Sequence, residues 1–198
     1  METQYIESAI KQLEYYKQLG EKTFDQLPDD MLFWQYNAES NSIATIVTHL
    51  WGNMRSRWTD FLSSDGEKPW RDRDAEFGNH LPPRADMISK WEEGWSLLLS
   101  TLRSLRRDDL QTLVYIRNQG HTVLEAINRQ LAHYPYHVGQ IVFIGKMAAE
   151  KWTSLSIPRG ASAQYNQSKF AEPRHRQHFT DEFLNGAETE GSDGSHSH

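Results

Sequence analysis

The sequence predicts an all-α fold built on four long helices. Apolar residues recur at helical spacing over four segments, prolines and a capping pattern mark where segments start or stop, and only one short stretch alternates like a strand. The first helix is expected from about Gln4 to Gln26, where Ile6, Ile10, Leu13 and Tyr16 share a face before Pro28 stops the chain. The second is expected from about Ser42 to Leu62, with Asn41 as its cap and a stripe of Ile43, Ile46, Val47, Leu50, Met54, Trp58 and Phe61. The third opens at "PPRADM", where Pro83 suits a first turn, and runs to about Leu105 through Met87, Trp91, Trp95, Leu98 and Leu102. The fourth has the clearest start: Thr122 and Glu125 in "HTVLEAI" match a capping box, and the helix is expected to reach about Glu150. Just ahead of it, "TLVYIRNQGH" alternates apolar residues and contains Gly120, as in a short hairpin or extended loop.

Long connections separate these helices, so crossovers are permitted and simple up-and-down order is not required. The segment "SSDGEKPWRDRDAEFGNHLPP" is charged and turn-rich, too polar for a core, and is expected to be a solvated loop. Residues 1–170 are expected to form one domain. From about Ala171 the chain becomes hydrophilic and ends "GAETEGSDGSHSH", which predicts a disordered or loosely draped tail over 171–198.

Composition narrows the function classes. The 198 residues carry a net charge of −6, which argues against a nucleic-acid binder. Without cysteine there is no disulfide, thiolate ligand or cysteine nucleophile. The N-terminal stretch lacks the apolar core of a signal peptide, and "IVFIG" is far too short to span a bilayer, so a soluble cytoplasmic protein without a membrane partner is expected.

One stretch breaks a local rule. In "LAHYPYHVGQ", Pro135 sits inside the fourth helix between His133 and His137, at a cost of roughly 3 kcal/mol. Nine histidines in this length give roughly 0.4 chance pairs at any fixed spacing, so spacing alone decides little. Position adds more. At about 100° per residue, Gln130, His133, His137, Gln140 and Ile144 fall in one sector bordering the apolar stripe. Two imidazoles there can share a metal ion, or each can bond a carbonyl or tyrosine within the core; the residues alone favour neither. Pro135 frees the carbonyl of Leu131 and tilts the balance slightly toward a functional site.

A catalytic metal needs a third protein ligand. His49, in "IVTHLWGNM", is the best candidate on an interior helix. It shares a side with Ser42, Thr45, Asn53 and Ser56, which is either a solvated face or the wall of an internal cavity. Three neutral imidazoles suit a divalent transition metal (zinc, nickel, iron or copper) and do not suit magnesium or calcium. Gln140, Asn53 and Arg71 are candidates to steady the ligands or touch substrate. Arg71, Arg73 and Arg117 could clamp an anion, against the ordinary reading of exposed charge. No carboxylate is well placed as a base: Asp60 follows Asn53 by seven residues on His49's helix face, about two turns further on, and Asp72 and Glu76 fall in the charged loop, where a solvated role is expected. The pairs His175/His178 and His196/His198 are expected to be inert.

The stretches "GNMRSRWTDFLSSDGEKPWRDRD", "HYPYHVGQIVFIGK" and "SLSIPRGASAQYN", with a histidine in "HLWGNM", resemble the DinB/YfiT-like superfamily of metal-binding four-helix bundles. Within it they look most like a branch catalogued as a domain of unknown function. The likeness covers about residues 1–167. It implies a bundle with a crossover, a metal on His49, His133 and His137, and a homodimer. The superfamily includes bacillithiol- and mycothiol-dependent transferases and isomerases and proteins labelled metal-dependent hydrolases. The expectation is therefore a metal-dependent hydrolase or small-thiol S-transferase acting on a small molecule, with zinc or nickel foremost and a thiol as a second cofactor. The alternative is a metal-binding or structural bundle with no turnover.

Overall fold

The computed structural model describes residues 2–78 and 83–185. It is mostly helical, with one small sheet of two strands. Four long helices, α1 (Glu2–Phe24), α2 (Ile43–Trp58), α3 (Arg84–Ser104) and α4 (Val123–Ala148), supply most of the core. Helix α2 lies chiefly along α3 and α1 along α4, with α1–α3 and α2–α4 contacts closing the ring. Trp91, Trp95, Leu50, Met54, Leu98 and Tyr134 are among the side chains withdrawn from water between them. Gly20 allows Trp91 to lie against the backbone of α1, where a Cβ would overlap its ring.

Helix ends follow local chemistry. Ser42, not Asn41, caps α2: its backbone is extended and its hydroxyl accepts the Thr45 N–H at 3.1 Å, a reach the preceding residue lacks. The helix stops at Trp58 rather than continuing to Leu62, because Asp60 takes a left-handed conformation (φ 49°) that a helix cannot pass. Thr122 caps α4 as expected, its hydroxyl accepting the Glu125 N–H while the Glu125 carboxylate accepts the Thr122 N–H. Pro135 lies inside α4, which continues through it.

The hairpin ahead of α4 is β1 (Leu113–Ile116) paired antiparallel with β2 (Gln119–Thr122). Its two-residue turn, Arg117–Asn118, needs positive φ at both positions (56° and 59°), a conformation that usually selects Asn-Gly. Asp65 stabilises it from outside. Its carboxylate accepts the Arg117 and Asn118 N–H groups at 2.9 and 2.8 Å. Gly66 also donates its N–H to the Tyr115 carbonyl at 2.8 Å, so the α2–α3 connection is tied to the hairpin.

That connection is not uniformly solvated. Lys68, Glu76 and the Arg71 side chain are buried, because the charges pair with one another and with backbone carbonyls. Beyond α4, α5 (Ser162–Ala171) buries no residue, but α6 (Asp181–Asn185) docks on α1. Lys11 pairs with Asp181 at 2.6 Å, His178 meets Ser8 at 2.9 Å, and Phe179 and Phe183 pack on Tyr15. The expected loose tail thus rests on α1 as far as residue 185, and His196 and His198 lie outside the described residues. No helix among the described residues is long and apolar enough to cross a membrane.

Candidate metal centre

Helices α2 and α4 bring His49, His133 and His137 together. One ring nitrogen from each lies within 4.8 Å of the other two. His49 is buried and the α4 pair half-buried. The face of α2 shared by Ser42, Thr45, Asn53 and Ser56 is internal, since all four are buried.

Each ring's Nδ1 is held by an oxygen that can only accept. The Glu76 carboxylate takes His49 Nδ1 at 2.9 Å, Gln140 Oε1 takes His137 Nδ1 at 2.8 Å, and Gln130 Oε1 takes His133 Nδ1 at 3.3 Å. The protons therefore sit on Nδ1, and the Nε2 lone pairs are left to converge. His133 Nε2 and His137 Nε2 are 3.1 Å apart, a distance at which two lone pairs repel unless a cation or proton lies between them. A proton is disfavoured: burial, then the neighbouring His137 and His49, push His133 down to about 3, and burial also lowers His137. Metal–nitrogen bonds of 2.0–2.1 Å in tetrahedral geometry separate ligands by about 3.4 Å, close to the spacing seen within the α4 pair. The donor set fits a divalent transition metal.

Glu76 is the residue that sequence reasoning placed in solvent. It is buried, with Arg71 Nε at 2.7 Å from one carboxylate oxygen and Arg71 Nη2 at 3.0 Å from the other. Burial alone would raise its pKa; the bonds from His49 and Arg71 and the Arg71 charge outweigh this and hold it below the usual carboxylate range. Gly52, one turn beyond His49, makes room, since a Cβ there would overlap the carboxylate. Asp60 does not reach the site, and Asp72 is exposed. Asn53 supports α4 instead of a ligand, accepting the Tyr134 hydroxyl at 3.1 Å, while Tyr134 accepts Trp58 Nε1–H at 2.9 Å.

The trio opens on a cavity of about 490 Å³. Asn53, Phe77, Gln130, Tyr136 and the arginines 57, 71, 73, 117 and 129 line it with the histidines, and none of the described residues lining it is a carboxylate. Phe77 packs its ring on His49, 5.1 Å between centroids. Gln130 was visible in the sequence as a member of the histidine sector. Arg57 and Arg129 were legible at helical spacing, four residues after Asn53 and four before His133; Glu76 carried no periodic signal toward the site, although a glycine three residues after His49 was a cue to something approaching α2.

Fold and site together define a mostly helical protein whose three clustered imidazoles face a basic cavity. Residues 1–161 match the family described as "Protein of unknown function (DUF1572)", and the chain belongs to that family. No curated protein matches it.

Proposed function

We propose that the chain is a metal-dependent enzyme of the DinB-like superfamily, a four-helix bundle holding one divalent transition metal on His49, His133 and His137. The observation that carries this is the convergence of Nε2 lone pairs whose Nδ1 atoms are each tied to an acceptor. A structural zinc site is closed by four protein ligands, whereas three ligands beside an open cavity leave a coordination position for a reactant. When bound, such an ion supplies Lewis acidity that brings a water or thiol toward deprotonation near neutral pH. The chain's own part is to fix the three rings through Glu76, Gln130 and Gln140, and to shield their open side beneath Phe77.

Between water and a thiol, the lining favours the thiol. Hydrolysis profits from a free general base, and Glu76, among the described residues the one carboxylate bonded to the histidines, is already engaged by His49 and Arg71. Transfer to a small thiol needs no such base once the thiolate is formed. The superfamily likeness adds a homodimer, which sedimentation equilibrium tests directly.

Elemental analysis of tagless protein and of a His49→Ala/His133→Ala/His137→Ala variant tests the centre. About one zinc or nickel per chain, lost in the variant, is the expected result; absence of metal from both overturns the reading. Loaded protein is then assayed with bacillithiol and an electrophilic acceptor, and separately with ester and amide panels. Turnover with the thiol alone supports S-transfer, turnover of the panels alone supports hydrolysis, and silence in both leaves a metal-binding bundle without catalysis.

A further inference from the structure

The cavity above the histidines gathers arginines from four separate segments in a chain whose net charge is −6. Arg57 comes from α2, Arg71 and Arg73 from the following connection, Arg117 from the hairpin turn and Arg129 from α4. Like charges brought together repel, so the cluster is costly unless something neutralises it. The protein neutralises part of it. Glu76 is committed to Arg71, and Glu67 is shared by Arg57 and Arg117 at 3.4 and 3.0 Å.

Five guanidinium groups face the carboxylates of Glu76 and Glu67, with Asp65 near Arg57 and the Arg117 turn, so at least two positive charges are left over before any metal is counted. Among the described residues, no carboxylate pairs with Arg73 or Arg129. Arg57, almost wholly buried, has no acceptor for its Nε–H. Arg73, Arg117 and Arg129 are exposed, but two of them are positioned by neighbours. Arg73 is stacked over Phe77, 5.4 Å from the ring centroid, and Asp65 pins the turn that carries Arg117.

We propose that the small molecule taken by this cavity is an anion bearing at least two negative charges on carboxylate or phosphate groups. Arg73, Arg117 and Arg129 grip it while its reacting end faces the three histidines. The planar guanidinium fork matches both kinds of oxyanion, so each arginine can offer two parallel N–H donors to one carboxylate or phosphate group. The assignment of a reacting end rests on the metal-centre reading; the grip itself does not.

The test is isothermal titration of the tagless full chain, chelator-treated and zinc-loaded, with succinate as carboxylate probe, phenyl phosphate as phosphate probe and glycerol as neutral control. At least one dianion is expected to bind saturably in the chelator-treated protein, weakening as KCl is raised, while glycerol gives no heat. Arg73→Gln/Arg129→Gln should weaken binding by about tenfold or more, and Arg174→Gln, outside the cavity, should not. Neither Arg73 nor Arg129 holds a structural ion pair, so the fold should persist, and Arg129→Glu serves as a second variant of opposite charge. No saturable binding of either dianion in both preparations, or equal binding by wild type and the double variant, overturns the proposal. If the protein holds no metal yet binds the dianion through these arginines, the metal reading falls and the grip stands; metal without arginine-dependent binding gives the reverse.

Discussion

Glu76 has two partners, with Arg71 on both carboxylate oxygens and His49 on one of them, and this doubles its consequence. Toward His49 it fixes the tautomer and aims Nε2 at the α4 pair; toward Arg71 it cancels a guanidinium whose side chain is 3 % exposed. Glu76→Gln keeps an acceptor for His49 but removes the charge, so the ring loses orientation and basicity. Zinc affinity should fall by about 10- to 100-fold, read by competition with a chromophoric chelator. Both variants take the counter-charge from Arg71, and Glu76→Ala goes further by removing the hydrogen-bond acceptor as well. Breaking a buried pair from one side costs about 3 kcal/mol, so both urea midpoints should drop, that of the alanine variant further than that of the glutamine variant. Equal midpoints would show that Arg71 finds another partner. His133 and His137 were readable as a pair from spacing and face, because a helix repeats regularly; Glu76 was not, because its position depends on how an irregular connection folds back.

At the scale of elements, Gly52 decides how closely that connection approaches α2. By propensity alone, Gly52→Ala should stabilise the helix by about 1 kcal/mol. A Cβ would overlap the Glu76 carboxylate, however, and the carboxylate must swing away from His49 and Arg71 to avoid it. The expected outcome is a folded variant with little net change in melting temperature but zinc affinity reduced about as far as in Glu76→Gln. Unchanged affinity would mean the carboxylate can yield without releasing His49. The capping box at Thr122 is the contrasting case. Thr122→Ala should cost about 1 kcal/mol in a urea titration with zinc affinity unaltered, since His133 lies three turns along α4. These contrasts also explain what the sequence made legible. The four helices, the hairpin and the α4 start came from periodicity, turn chemistry and caps, which are local. The end of α2 at Trp58 and the docking of α6 on α1 were missed, because the first rests on the left-handed Asp60 and the second on pairing across the chain.

For the whole molecule, a metal on the three histidines, as proposed, would couple metal, proton and folding between α2 and α4. Unfolded, a histidine titrates near 6.5, whereas burial and the neighbouring rings hold His133 at about 3 in the fold, with His137 shifted the same way. Between those values the unfolded chain takes up protons that the native chain refuses. Stability contributed by the neutral rings is thus present above about pH 6.5 and is lost as pH falls toward 3. Glu76 acts in the same direction lower down: its folded pKa is depressed, so its contribution is present above the ordinary carboxylate value and is lost as pH falls through the folded one. Metal adds a second layer, because an ion that binds only the native state raises stability by mass action while protons compete for the same nitrogens. Thermal melts from pH 7.5 down to 4, with chelator or with excess zinc, should therefore show two trends. The zinc-induced rise should shrink steadily on acidification, and the chelator-treated protein should itself lose stability below about pH 6.5. His133→Ala should flatten the second trend and abolish most of the first. A zinc increment independent of pH would mean that the ion is held elsewhere than on these imidazoles.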